Sequence, residues 1–207
     1  MAYGALALLD HLKPDAVLFI DGGVDSLMRG DESEVGTLFE DVVSLAAVSQ
    51  LPASLPRYLA CLGMGAEDDI AYASVWENIA ALAGTGGFLG GCALTAEMAA
   101  YRAYENAVNY VHAQKHQQPS VINSSIVSAV RGHYGDYHAP ERTKNSRLHI
   151  SPLMSLYWFF DLPAVAQRSL IVPRLISTGT RREALERLAL TRALAQSRRG
   201  GVTPRPT

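Results

Sequence analysis

The chain has 207 residues, of which 48% are hydrophobic and 18% charged, and a formal net charge of −2. This is enough apolar material for one domain with a real core, and it excludes an intrinsically disordered chain. The near-neutral balance gives no global drive toward nucleic acid or anionic lipid, and no stretch reaches the roughly 18 continuous apolar residues of a membrane helix.

The N-terminus has neither the basic flank nor the cleavage site of a signal peptide, so a cytoplasmic protein with no nucleic-acid or membrane partner is expected. Cys61 and Cys92 both sit in apolar runs and read as buried, reduced thiols.

Tyr3 to Leu12 carries apolar residues at helical spacing and stops before Pro14. Ala16 to Ile20 is a short β-prone run and reads as a buried strand ending in Asp21-Gly22-Gly23-Val24-Asp25-Ser26. Thr37-Leu38-Phe39-Glu40 is a capping-box pattern that opens a helix to about Leu51. Tyr58 to Leu62 reads as a second buried strand, followed by Gly63-Met64-Gly65 and the acids Glu67, Asp68 and Asp69. A helix over Ile70–Ala83, a glycine-rich connector over Gly84–Gly91 and a long helix over Ala93–Gln114 come next.

Ser120 to Arg131 suits either a strand or a buried helix, and Ser120 as an N-cap favours the helix. A polar loop, Gly132–Asn145, precedes a short strand at Leu148–Ile150 and an aromatic, buried helix over Pro152–Phe160. A further helix over Ala164–Ile176 is interrupted at Pro173. Thr180-Arg181-Arg182-Glu183, a second capping box, opens a terminal helix to about Ser197, and Gly200–Thr207 reads as a disordered tail.

Strands alternating with helices imply an α/β fold. The expected form is a Rossmann-like, three-layer arrangement with a parallel sheet flanked by helices and a helix-rich C-terminal half, in one domain over residues 1–199. Only two strands emerge, against about 5–6 in a mean sheet, so an incomplete fold is expected.

Ligands in open α/β sheets bind beyond the carboxyl ends of strands. Asp21, Gly22, Gly23, Asp25 and Ser26 are therefore the first candidate ligand site. The glycines permit close backbone approach, and Asp21 and Asp25 are suited to hold Mg²⁺ or a sugar hydroxyl. The plainer alternative is a tight turn whose Asp caps the next helix. Glu40 at a helix start fits a capping role, whereas Asp41 faces elsewhere on that helix and can point at the site.

The densest polar loop, Gly132-His133-Tyr134-Gly135-Asp136-Tyr137-His138, supplies Asp136 and His138 as a candidate acid–base pair. Arg142 and Asn123 complete the candidate ligand set. The two histidines have no recognisable zinc spacing, and the chain carries no Gly-x-Ser-x-Gly, His-Glu-x-x-His or Cys-x-x-Cys motif. Arg181, Arg182, Arg187, Arg192, Arg198 and Arg199 make the terminal helix basic, which reads as a solvated face or an intersubunit contact of a homo-oligomer.

The run from Asp21 to Glu32, with Gly36-Thr37 and Glu40-Asp41, resembles the bacterial and archaeal family known as domain of unknown function 1152. The resemblance continues through Gly63-Met64-Gly65, Glu77-Asn78-Ile79, Gly86-Gly87-Phe88-Leu89-Gly90, Pro119-Ser120-Val121-Ile122-Asn123, Gly135-Asp136-Tyr137-His138 and Ser151 to Phe160. It implies an α/β protein whose relatives carry a further N-terminal region with a glycine-rich loop, so this chain is expected to match the C-terminal part of that fold or a shortened variant. It carries over no reaction. The expected function is that of an α/β enzyme or binding protein for a small polar metabolite, nucleotide- or sugar-related, with Mg²⁺ as the candidate cofactor. The alternative is a non-enzymatic interaction module or an inactive fragment.

Overall fold

The computed structural model describes residues 2–32, 38–66 and 72–199. Thr37 of the first capping box, the acids Glu67, Asp68 and Asp69, and the expected tail from Gly200 lie outside the described residues. Helix α1 (Ala2–Leu12) leads to strand β1 (Val17–Asp21), helix α2 (Leu38–Ser49) and strand β2 (Arg57–Leu62). Helix α3 (Tyr72–Gly84), strand β3 (Phe88–Ala93), and helices α4 (Ala99–His112) and α5 (Val121–Val130) follow. Strand β4 (Leu156–Asp161) and helices α6 (Leu162–Arg168), α7 (Val172–Leu175) and α8 (Arg181–Arg199) complete the order.

The four strands form one mixed sheet in the order β1-β2-β4-β3. This corrects the expected parallel sheet. β1 and β2 are parallel, with Asp21 opposite Cys61. β4 runs antiparallel to both β2 and β3, so β1, β2 and β3 share one direction and β4 is inserted against them.

Four further expectations are corrected. Pro152–Phe160 is not a helix: only Pro152–Ser155 forms a 3₁₀ turn, and the aromatic run Leu156–Asp161 is a strand. Six residues rich in aromatics fit a pleated, two-sided surface, and strand pairing decides where periodicity does not. The glycine-rich connector contributes Phe88–Ala93 as β3, whose glycines hide its strand character in the sequence. Cys92, on that edge strand, is exposed, whereas Cys61 is buried. Leu148–Ile150 reduces to a single bridge between Ile150 and Gly135.

The core lies on one face of the sheet. Phe19, Leu59 and Phe160 meet Leu38, Val42 and Leu45 of α2, Val75 and Leu82 of α3, and Leu162, Ile171 and Leu175 from α6 and α7. Each fully buried side chain of this kind stabilises the fold by about 1.5–3 kcal/mol. Arg57 at the start of β2 donates to the carbonyls of Ser49 and Leu51, both at 2.9 Å, closing the C-terminus of α2. On the opposite face Leu18, Ile20 and Tyr58 are 50%, 56% and 40% exposed. β1 thus has one covered face and one open one, which the buried-strand reading did not anticipate.

The second capping box forms. Thr180 Oγ1 accepts from the Glu183 N–H at 3.2 Å, and Glu183 accepts from the Gly179 N–H at 3.0 Å. Thr180→Ala should lower stability by about 1 kcal/mol in urea denaturation, with an unchanged slope. A loss near zero would show that the cap contributes nothing to docking α8.

Candidate functional site

Because β1 and β2 are parallel neighbours, Asp21-Gly22-Gly23 and Gly63-Met64-Gly65 emerge side by side at one edge of the sheet. Gly63 and Gly65 have φ of +75° and +90°, a region that favours glycine. A Cβ on Gly63 would lie 2.7 Å from the Ile122 side chain, and one on Gly22 would lie 3.9 Å from it. The first turn of α5 therefore closes against both glycine turns, with its N-cap Ser120 bonded to the Asn123 N–H at 3.2 Å.

The loop after β1 folds inward. Asp21, Asp25 and Ser26 are 5%, 2% and 0% exposed, and within Asp21–Ser26 only Gly22 is exposed. Ser26 donates to Asp21 Oδ2 through both its N–H (3.0 Å) and its hydroxyl (2.5 Å), which holds the 3₁₀ turn Asp25–Leu27 onto the strand end. Cys61 Sγ stands 3.5 Å from the Ser26 hydroxyl. Burial pushes the Asp21 carboxyl above the usual carboxylate range, although both Ser26 bonds pull the other way.

Asp41, on α2, faces this loop and is half-buried. Burial, and then the negative charges of Asp21, Asp25 and Glu40, push its pKa from an ordinary 3.8 to about 7. Four carboxyl groups thus share one field, and the half-buried Asp41 among them is pushed to about 7. Among the described residues no three His, Cys, Asp or Glu side chains stand close enough to hold a metal ion together. Asp21 and Asp25 could offer Mg²⁺ one or two carboxylates, leaving most of its shell to water and ligand oxygens, as is common for that ion.

A second network fixes the far side of the loop. Glu32, 2% exposed, accepts from the Arg29 N–H (2.9 Å), the Gly30 N–H (2.7 Å) and Asn78 Nδ2 of α3 (3.0 Å). Arg168 of α6 donates in turn to Asn78 Oδ1. Burial pushes the Glu32 carboxyl up, but these donors outweigh it and hold it below its usual value. No sequence spacing signals this network, because its members lie 46 and 90 residues apart.

The structure brings Asp136 and His138 together: Asp136 Oδ1 is 2.6 Å from His138 Nε2, and Thr143 Oγ1 lies 3.1 Å from His138 Nδ1. Asp136 is exposed, and the pair sits on the loop beyond α5, with no direct hydrogen bond to the Asp21–Ser26 turn. Asn123 accepts from Tyr104 at 2.6 Å and donates to Ser120 at 3.0 Å, so its amide holds the entry to α5. Arg142 donates to the Pro119 carbonyl at 2.7 Å and ties the polar loop to that same entry.

An α/β protein with a four-stranded mixed sheet, two glycine turns at the ends of its parallel strands and an acidic cluster behind them is what the residues build. The family model described as protein of unknown function (DUF1152) matches residues 2–195, and the chain belongs to that family. No curated protein and no solved structure matches it. Among the described residues, no helix is long and apolar enough to cross a membrane.

Proposed function

We propose that this chain binds a small polar metabolite, nucleotide- or sugar-related, at the Asp21–Ser26 turn and the neighbouring Gly63–Gly65 turn, as a cytoplasmic α/β enzyme or binding protein. The observation that carries the reading is the convergence of Asp21, Asp25 and Asp41, with Asp41 half-buried and shifted to about 7. Crowded carboxyl groups cost stability, and such costs concentrate where a ligand, a cation or a proton compensates them. Gly22 offers backbone to the ligand, Asp41 accepts from a hydroxyl or amine, and Asp21 and Asp25 supply the negative field behind. Asp136 and His138 serve as an acid–base pair only in a ligand long enough to reach past α5.

A thermal-shift screen of the purified chain against nucleotides, sugar phosphates and divalent cations tests this. At about 100 times Kd a native-state ligand adds about 2.7 kcal/mol of stability, a shift of several degrees. The reading expects a rise that Asp25→Asn or Asp41→Asn removes. No shift with any of these classes, or a shift that survives both substitutions, would overturn it.

A second reading, an interaction module, is favoured by the half-exposed Leu18, Ile20 and Tyr58 on the open sheet face. It expects Asp25→Asn to alter stability alone.

A further inference from the structure

Behind α5, away from the acidic turn, α4, α5 and the polar loop line an open-sided cavity of about 250 Å³. Its apolar floor includes Val108 and Val127, and its polar wall includes His112, Arg131, His133 and Tyr137. The wall is fixed in advance. His133 and Tyr137 are stacked with ring centroids 3.8 Å apart and planes within 10°. Thr143 bonds the Pro140 carbonyl at 2.7 Å, and Arg142 clamps the same loop onto Pro119. Preformed concave sites that combine apolar surface with convergent polar groups are the usual form of small-molecule sites.

His112 and Arg131 are the donors on this wall. His112 Nε2 accepts the Ser120 N–H at 3.0 Å, so that nitrogen is unprotonated and the ring's proton resides on Nδ1. Arg131 brings a permanent positive charge, with its Nε on Glu105 at 2.8 Å. Glu141, the carboxylate at the rim, is exposed and already paired with Lys144 at 2.6 Å. A donor-rich wall around a stacked imidazole–phenol pair suits a flat, acceptor-bearing ligand. We propose that this cavity binds a small planar acid: a single aromatic or heteroaromatic ring bearing one carboxylate. The guanidinium of Arg131 takes the carboxylate, and the ring packs between the His133–Tyr137 wall and the valines.

The test is a titration of this 207-residue chain with benzoate and nicotinate, followed by amide NMR. Benzamide serves as the uncharged control and cyclohexanecarboxylate as the non-planar one. Saturable shifts are expected at Arg131, Gly132 and His133, weaker for both controls. Arg131→Gln should weaken benzoate binding about tenfold, equivalent to one charged contact. His133→Ala should reduce the preference for benzoate over cyclohexanecarboxylate. Both side chains are partly exposed, so melting temperatures stay near that of the wild type. Absence of saturable shifts with both acids, an equal response to benzamide, or binding indifferent to Arg131→Gln would each overturn the assignment.

Discussion

Glu32→Gln should lower the melting temperature by roughly 5–10 °C, the largest loss expected of any single isosteric change in this chain. The carboxylate accepts three hydrogen bonds, from two backbone N–H groups and the Asn78 amide. An amide in its place must turn an NH₂ toward one of those donors. The cost is that of a buried donor left unpaired beside a lost charge-assisted bond, about 2–3 kcal/mol. The effect spreads because Asn78 also receives Arg168, so the β1 loop, α3 and α6 loosen together.

Since the folded pKa of Glu32 is lowered, its contribution is present above its ordinary value of 4.5 and is lost as pH falls through the folded pKa. Calorimetry of the variant at pH 7 and below 4 checks both parts. A shift of under about 2 °C at neutral pH would show that the network is not what holds the loop.

Asp41→Asn should act in the opposite sense and raise stability at alkaline pH. The folded pKa near 7 lies above the ordinary 3.8. Below the ordinary value both folded and unfolded chains are protonated, and the group costs nothing. Between the ordinary value and 7 the unfolded chain releases this proton while the folded chain keeps it, so stability falls across that window and levels off above 7, where the folded chain holds a carboxylate beside Asp21 and Asp25. A folded pKa of about 7 against the ordinary 3.8 would correspond to about 4 kcal/mol if the group were dry. Its partial exposure screens the charge, so about 1–2 kcal/mol is the expected gain at pH 8, with little difference at pH 4. A helix-capping acid would give the reverse, since removing a cap destabilises. The same variant should lose the ligand-dependent thermal shift. Gain of stability with loss of binding is the pattern of a residue retained for a site.

Much of the scaffold was legible because local chemistry specified it. Leu38–Ser49 and Tyr72–Gly84 follow helical periodicity, Val121–Val130 reads as a helix from its N-cap, and Ser120 and Thr180 cap as their spacing suggests. β1 and β2 were visible as short apolar runs ending in glycine. β3 and β4 were not. Gly90 and Gly91 carry no strand preference, and the aromatic run Leu156–Asp161 becomes a strand only by pairing with β2 and β3, which lie 50 or more residues away in sequence.

At the site, the turn at Asp21–Ser26 was found by its composition and strand position. Its inward orientation was not, because the bonds that draw Asp21 and Ser26 together depend on a backbone path that the sequence does not display. Asp41 reads as an acid in the first turn of α2 that can point at the site, but not as a member of a cluster. Its partnership with Asp21 and Asp25 comes from how α2 packs across β1 and the 3₁₀ turn.

The central claim is that Asp21, Asp25 and Asp41 form one electrostatic unit at the ends of β1 and β2. Its most direct test is a ¹³C NMR titration of the Asp41 carboxyl in the wild type and in Asp25→Asn. The account predicts a midpoint near 7 in the wild type and a lower one in the variant. A midpoint near the ordinary 3.8, unchanged by Asp25→Asn, would contradict it.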